Sequence, residues 1–180
     1  LMGITGNNAD ILDAVREINA IKPTFNLLGY LTRDGHPQQP GGLSCLGDFA
    51  SARTFPPDVQ VAGFAFSTAT FRQWPDIVAS LGLPDERFAT IVHPRAYVSP
   101  QSTIGHGSIL LAGVTVGAFA TVGNHVIILQ NVALSHDDVI GDYTCITVGA
   151  SFSGNVQVGR NCYIGTNATV VCKQIGEGSL

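Results

Sequence analysis

The sequence predicts a chain of two successive parts, an α/β unit over residues 1–96 and a β-helix over residues 97–180. Strand-like and helix-like segments alternate in the first part, which is typical of a parallel sheet with helical crossovers. In the second part a large apolar residue recurs at every sixth position, which fits neither a helix nor a plain strand. The composition changes at the same point, because 16 of the 22 charged residues lie in residues 1–96.

Two segments of the first part have the spacing of amphipathic helices. Residues 9–20 place four apolar residues on one helical face, with Asn7 or Asn8 available as the N-cap. Residues 71–82 predict a second helix, with Pro75 near its first turn, where proline is well tolerated. The apolar residues of the first helix are Ile11, Leu12, Val15 and Ile18.

Two apolar runs between Gly- and Pro-rich loops predict buried strands, at residues 26–31 and 59–66. Because these runs alternate with the two helices, they predict parallel strands joined by crossovers. The first part is therefore expected to be a small Rossmann-like unit.

The second part predicts coils with one short strand on each face. Stepping by six residues from Val98 meets thirteen large apolar residues in succession. A chain that turns a corner every six residues can direct all of them into a narrow shaft, with successive coils paired about 4.8 Å apart. The register holds through Val170 and slips by one residue at Ile175, which predicts a loop or a shortened corner. The thirteen residues are Val98, Ile104, Leu110, Val116, Val122, Ile128, Leu134, Ile140, Ile146, Phe152, Val158, Ile164 and Val170.

Composition restricts the functional classes. Charged residues are 12% of the chain, about half the usual share, so a partner is expected to cover part of the surface. The net charge of −4 argues against a nucleic-acid-binding protein. No run of about 18 apolar residues and no basic-then-apolar leader is found, which favours a cytoplasmic chain without membrane insertion. The four cysteines form no CxxC pair and are expected to be reduced, buried thiols.

Several segments resemble known enzymes. Residues 97–180 resemble the hexapeptide-repeat acyltransferases, whose fold is a left-handed parallel β-helix. The glycine-containing opening at 3–8, Gly-Tyr-Leu at 29–31 and Ala-Thr-Ile-Val-His-Pro at 89–94, followed by Val-Ser-Pro at 98–100, are similar to the sialic-acid O-acetyltransferase and bacillosamine N-acetyltransferase family. This resemblance implies acetyl transfer from acetyl-CoA to an amino or hydroxyl group of a sugar, often a nucleotide-linked one. It also implies a homotrimer with active sites between neighbouring β-helices, and no metal.

His136 is the candidate general base. It lies in a segment that resembles the family's segment around its catalytic histidine, an acidic-flanked His before a Val-Ile-Gly-Asp turn. Two residues after inward-facing Leu134, it is expected to point outward toward a neighbouring subunit. The resemblance implies that His136 deprotonates the sugar nucleophile while Asp137 orients the imidazole and raises its basicity. The alternative is a solvated surface histidine beside two acids.

The resemblance also implies a largely backbone site for acyl-CoA. Gly154 matches a glycine that contacts CoA in relatives, and Thr166 is expected near the corresponding place on the next coil. Cys145 stands where some relatives carry a second histidine at the thioester, so it is a further cofactor-contacting candidate that lacks that histidine's contact. Asp138 replaces a small residue usual in relatives, and an inward carboxylate is costly unless it is paired.

The sugar nucleotide is expected to bind the first part. A glycine-containing turn that opens a helix can hold an anion on its backbone N–H groups, and Gly6, Asn7 and Asn8 are the candidates. The opening is not a full GxGxxG motif, and Thr32 replaces an acidic residue common in relatives. The nucleotide, and the choice between N- and O-acylation, stay open.

Two alternatives remain beside the acetyltransferase. One is a non-catalytic β-helix trimer that acts as a scaffold or sensor. The other is a zinc hydratase of the γ-carbonic-anhydrase type, which is disfavoured because His106, His125 and His136 are separated by 19 and 11 residues. That class places two of its three zinc-binding histidines closer together in sequence.

Overall fold

In the described part of the chain, two α-helices and two strands precede fifteen very short strands. The computed structural model describes residues 1–2, 7–36, 42–64, 66–171 and 173–180. Among these residues, no helix is long and apolar enough to cross a membrane.

The two predicted helices are confirmed. Helix α1 spans Asn7–Ile21, and helix α2 spans Trp74–Leu81 after a 3₁₀ turn at Phe71–Gln73. Helix α2 ends at Gly82, whose φ of 60° suits a left-handed C-cap. Because α1 begins at Asn7, Asn8 lies in its first turn, and its prediction as the N-cap is wrong. Two further 3₁₀ segments span Phe49–Thr54 and Asp85–Arg87.

The predicted strand at 26–31 is confirmed only at its end, where strand β1 spans Tyr30–Thr32. The chain just before this strand makes side-chain instead of strand hydrogen bonds. The side-chain oxygen of Asn19 accepts hydrogen bonds from the N–H groups of Thr24 and Phe25. The chain leaving α1 is thus tied to the helix instead of to a neighbouring strand.

Over its described residues, the predicted strand at 59–66 forms a single parallel bridge, between Val61 and Phe88. Three residues after Val61, the N–H of Phe64 donates to the side chain of Asn8, and the Asn8 amide donates back to the Phe64 carbonyl. A side chain therefore satisfies backbone groups that a ladder would otherwise pair.

Five segments of the α/β half nevertheless lie side by side. Strand β2, Cys45–Asp48, pairs in parallel with β1, and Met2 forms a parallel bridge to β1 on its other edge. The N–H of Met2 donates to the carbonyl of Ala62 at 2.8 Å, beside the bridge that joins Val61 to Phe88. Numbered along the chain, the segments lie in the spatial order 3-2-1-4-5.

The rest of the chain forms three five-stranded parallel sheets, which confirms the predicted β-helix. Partners lie 18 residues apart, as for Ile109 and Ile127, so each coil contributes one strand to every sheet. The last coil is one residue shorter, since Gln157 pairs with Gln174, and the predicted slip is confirmed. In chain order, β3–β17 span Ile91–Val92, Tyr97–Val98, Thr103–Ile104, Ile109–Leu110, Thr115–Val116, Thr121–Val122, Ile127–Ile128, Ala133–Leu134, Val139–Ile140, Cys145–Ile146, Ser151–Phe152, Gln157–Val158, Tyr163–Ile164, Thr169–Val170 and Gln174–Ile175.

The coils begin earlier than the predicted boundary at 97, because β3 at Ile91–Val92 already pairs with β6. Strands β3, β6, β9, β12 and β15 form one sheet, here called the covered sheet. Its outward residues Ile91, Ile109 and Ile127 are buried in one core with residues of the α/β half. A second core fills the shaft of the β-helix, and all thirteen residues of the six-residue period are buried or half-buried in it, as predicted.

The coils turn through left-handed residues at three stacks of corners. The corner farthest from the covered sheet lies between the other two sheets and is here called the distal corner; it comprises residues 99–102, 117–120, 135–138 and 153–156. Left-handed backbone favours Gly, Asn and Asp, which supply most of these positions. The left-handed corner residues are Gly107, Gly113, Phe119, His125, Asn131, Asp137, Tyr143, Gly149, Asn155, Asn161 and Asn167.

Candidate active site

His136 lies on the distal corner, directly after strand β10 has placed Leu134 in the shaft. Its backbone is fixed on both sides, since the N–H of Asp137 donates to the carbonyl of Ala118 and the N–H of Asn155 donates to the carbonyl of His136, each at 3.0 Å. Its side chain is 60% exposed. The coil therefore holds the backbone rigidly while it presents the imidazole to solvent.

Asp137 orients that imidazole. His136 Nδ1 lies 2.7 Å from Asp137 Oδ2, a short contact between two residues adjacent in sequence. The left-handed backbone of Asp137, with φ of 59°, sets this geometry. Because an ionised carboxylate only accepts, the neutral imidazole makes this bond with the proton on Nδ1, and in that tautomer Nε2 has the free lone pair. A histidine in this state can take a proton at Nε2.

Gly154 lies directly under the ring of His136, one coil further on. A methyl group on Gly154 would lie 2.5 Å from Nε2 and 2.6 Å from Cε1 of the imidazole. Only a glycine therefore permits the observed position of the ring. The structure brings together the predicted base, its predicted carboxylate partner and the predicted cofactor glycine.

Asp138 forms the buried floor of the same corner. Its carboxylate accepts a hydrogen bond from the N–H of Ser135 at 2.7 Å and another from the N–H of Val156 at 2.9 Å. The inward carboxylate is therefore paired, as the sequence requires. Burial is the largest influence on this group and raises the pKa of Asp138 above its ordinary range, against the opposing effect of the two hydrogen bonds.

Two predicted cofactor residues lie elsewhere. Cys145 is 3% exposed on the outer side of the covered sheet, and burial raises the pKa of its thiol to about 12. The prediction that Cys145 contacts a cofactor is wrong, because the α/β half packs over it. Thr166 is exposed but lies at the corner between β15 and β16, and the residue that follows Gly154 by one coil is 172, outside the described residues. The expected proximity of Thr166 to Gly154 is not found.

The predicted anion site in the α/β half is described only in part. Gly6 lies outside the described residues, and Asn7 is the first residue of α1. Asn8 is buried, and its amide group is engaged by the backbone of Phe64. Its side chain therefore contributes to the fold, and the anion site on backbone N–H groups stays a prediction.

Phe119 was not among the sequence-predicted residues. It occupies the left-handed position of the distal corner one coil before Asp137, with φ of 62°, and its side chain is 58% exposed. A bulky residue in this conformation is unusual. A signal existed in the sequence, because the equivalent positions of the following coils carry Asp137 and Asn155.

His125 belongs to the contact between the two halves. It is buried, stacks on Tyr143 and lies edge-on to Phe88, while the indole of Trp74 donates to its carbonyl at 3.1 Å. Burial lowers the pKa of His125, and Asp85, 3.6 Å from Nε2, opposes that shift. Within the described part of the chain, no group of three or more His, Cys, Asp or Glu side chains could hold a metal.

Part of the chain is similar in sequence to known acetyltransferases. It is 35% identical over 89 residues to serine acetyltransferase of Staphylococcus aureus, covering 44% of this chain and 39% of that protein. It is 37% identical over 83 residues to GDP-perosamine N-acetyltransferase of Escherichia coli O157:H7, covering 45% and 37%. The matched region thus spans about two fifths of the length of these relatives. No family model matches the chain.

Nearly the whole chain is similar in fold to solved structures that include an acetyltransferase domain. The acetyltransferase domain of PglB from Neisseria gonorrhoeae, in complex with acetyl coenzyme A, has a TM-score of 0.68 at 21% identity and covers 96% of this chain and 91% of that one. PerB from Caulobacter crescentus, in complex with CoA and GDP-perosamine, has a TM-score of 0.70 at 16% identity and covers 98% and 89%. WeeI from Acinetobacter baumannii has a TM-score of 0.64 at 16% identity, with coverage of 98% and 92%. The α/β half and the parallel β-helix therefore occur together in known folds.

Proposed function

We propose that this chain is an acetyltransferase that moves an acetyl group from acetyl-CoA to an amino or hydroxyl group of a nucleotide-linked sugar. The observation that carries the proposal is the exposed imidazole of His136, with Nδ1 held by Asp137 at 2.7 Å and Nε2 lying over Gly154. The acetyltransferase names of the sequence relatives support the reaction type. The acceptor class is supported by the GDP-perosamine bound in a structure of the same fold.

The proposed mechanism uses one base and no metal. The lone pair of the acceptor amine or hydroxyl attacks the thioester carbonyl carbon, and Nε2 of His136 takes the proton as the new bond forms. The tetrahedral intermediate collapses by breaking the carbon–sulfur bond, and the imidazolium returns its proton to the departing thiolate of CoA. Asp137 stabilises the imidazolium between the two steps.

Acetyl-CoA is proposed to lie along the exposed surface beside the distal corner. The missing side chain of Gly154 leaves room for the ring of His136, and the pantetheine chain is proposed to pass the backbone of Gly154 beside that ring. The acetyl-CoA bound to the PglB domain supports this cofactor. Thr166 is kept as a proposed contact for a more distant part of the cofactor, because it is exposed at another corner.

The two parts of the chain are proposed to serve the two substrates. The spatial order 3-2-1-4-5 of the segments in the α/β half matches that of a Rossmann-like unit, which supports a substrate domain over residues 1–96. The β-helix of residues 97–180 is proposed to be left-handed, as in the family that it resembles. We place the chain in the sialic-acid O-acetyltransferase and bacillosamine N-acetyltransferase family on the residues at 89–94 and 98–100.

The active site is proposed to need a second copy of the chain. The α/β half packs against the covered sheet, whereas His136 lies on the opposite corner, so a sugar held by this half does not face the imidazole of the same chain. A neighbouring copy in a homotrimer could supply its α/β half to the distal corner. The outer faces of the two remaining sheets are exposed and mostly small and uncharged, which suits contact between copies. These outward residues include Thr103, Thr115, Thr121, Ala133, Ser151, Gln157 and Thr169.

The test combines binding and turnover. Acetyl-CoA is expected to raise the melting temperature of wild type and of His136→Ala alike, by mass action. Only wild type should then release CoA, detected with a thiol reagent, in the presence of a nucleotide-linked amino sugar. Sedimentation should show a trimer. If acetyl-CoA stabilises neither protein, the non-catalytic trimer becomes the better hypothesis.

The cytoplasm, which contains acetyl-CoA, is the proposed compartment.

A further inference from the structure

Asp138 is a buried carboxylate in the turn that carries His136. Its side chain is 0% exposed and both of its oxygens accept backbone N–H groups, one from Ser135 and one from Val156. Within the described part of the chain it forms no ion pair with Lys or Arg. A buried carboxylate without a cationic partner is costly even when it is hydrogen-bonded, so its presence calls for an explanation beyond the stability of the coil.

Neutral hydroxyl groups make the equivalent bond between coils elsewhere. The hydroxyl of Ser108 accepts the N–H of Val126, eighteen residues further on. The hydroxyl of Thr144 does the same for Cys162. Asp138 occupies the equivalent place for Val156, so a serine or threonine would be enough to hold the next coil. What the second carboxylate oxygen adds is the bond to Ser135.

That second bond removes one rung from the ladder between coils. At the equivalent place in the other coils of the distal corner, the N–H of Ser99, Gly117 and Ser153 donates to the carbonyl of the next coil. The N–H of Ser135 donates to Asp138 instead, and among the described pairs β10 and β13 share only one register pair, Ala133 with Ser151. Both neighbouring pairings in this sheet, β10 with β7 and β13 with β16, have two.

The missing rung lies between the residues that the proposed mechanism uses. Ser135 directly precedes His136, and its lost partner would be the carbonyl of Phe152, two residues before Gly154. The ring of His136 leans across this same gap and covers Gly154. Without this hydrogen bond, the turn that carries His136 need not follow the geometry of the regular corners. The two hydrogen bonds of Asp138 fix the turn in its different geometry.

We propose that Asp138 is a positioning residue, which takes the N–H of Ser135 out of the ladder and thereby holds the imidazole of His136 over Gly154. This inference rests on the proposed acetyl transfer for its kinetic consequence. Its structural consequence, the placement of the ring, is independent of any activity. The carboxylate itself touches neither substrate.

The variant that tests this is Asp138→Ser, which keeps an oxygen for the N–H of Val156, as Ser108 does for Val126. The rung from Ser135 to Phe152 should re-form, and the ring of His136 should shift. Because a displacement of about 1 Å can cost about 10²-fold in rate, kcat should fall by roughly 10- to 100-fold while the KM for acetyl-CoA changes by less than about twofold. Nuclear Overhauser contacts from the His136 ring to the Gly154 α-protons should weaken or vanish.

A matched control is Thr144→Val, which removes the equivalent bond between coils at a corner that the α/β half covers. It should lower the melting temperature and leave kcat unchanged, which separates loss of stability from loss of positioning. The proposal is overturned if Asp138→Ser retains the kcat of wild type, or if its ring contacts to Gly154 persist. Absence of turnover in wild type with every acceptor would instead reject the acetyltransferase, and the ring contacts would still decide the role of Asp138.

Discussion

Gly154→Ala should separate catalysis from stability at the candidate site. The added methyl group would lie 2.5 Å from Nε2 and 3.0 Å from Cδ2 of His136. A relaxed contact needs about 3.5 Å, so the imidazole must retreat by about 1 Å. A shift of that size in a catalytic group corresponds to a loss of about 10²-fold in kcat, or about 2.7 kcal/mol of transition-state stabilisation.

The backbone itself should accept the alanine. Gly154 is not among the residues with positive φ, so the change should stabilise the fold by about 0.4–1 kcal/mol through the unfolded chain, less any strain from moving the exposed ring. The matched control is Gly165→Ala, since a methyl group there would meet no atom within 4 Å. We expect CoA release to fall only in Gly154→Ala, with both melting temperatures close to wild type. Full activity in Gly154→Ala would refute the inferred position of the ring.

Four further changes test the remaining residues. Asp137→Asn should lower kcat on the order of 10²-fold. The fold should be retained, because Asn also tolerates left-handed backbone. A variant with the kcat of wild type would show that the charge of Asp137 has no catalytic role. Burial raises the pKa of Asp138, so the stability that this group contributes is fully present below its unfolded pKa of 3.8 and is lost as pH rises through the folded value. Urea unfolding across this range should show that loss in wild type and not in Asp138→Ser. Cys145→Ala should leave kcat unchanged and cost on the order of 1 kcal/mol, whereas lost activity would restore a cofactor role for the thiol. Phe119→Asn should relieve about 1 kcal/mol of backbone strain and raise the KM for the acceptor. If the variant is more stable but its acceptor KM is unchanged, Phe119 is not part of the active site.

The six-residue period predicted the β-helix because each hexapeptide directs one apolar residue into the shaft, whatever the rest of the chain does. Every inward residue from Val98 to Val170 is specified by its own hexapeptide, and even the slip at Ile175 was visible in the spacing. The strands of the α/β half follow no such local rule. Their apolar runs showed burial, but burial does not say which backbone groups pair.

Side-chain competition for backbone groups explains what the sequence did not reveal. The sequence did not reveal that the side-chain amide of Asn8 binds the backbone of Phe64, fifty-six residues away. Cys145 was placed by analogy with a histidine in relatives, but its outward side is the one that the α/β half covers. His136, Asp137 and Gly154 were predicted from the resemblance to a known family, and the coil of 18 residues explains why His136 and Gly154 lie together.

The three corners of the β-helix differ in how their left-handed residues and missing hydrogen bonds can be explained. At the corner of His125 and Tyr143, left-handed aromatic residues are covered by the α/β half, so packing explains them. The corner of Asn131 has only Gly and Asn at its described left-handed positions, which need no explanation. The distal corner carries a left-handed, exposed Phe119 and an inter-coil hydrogen bond given up to a buried carboxylate, and none of the described segments of the α/β half packs there to account for either. Proteins retain such costs chiefly where function requires them. A scaffold that had lost its chemistry would have no reason to keep them at the one corner that presents His136, which favours the enzyme over the non-catalytic trimer.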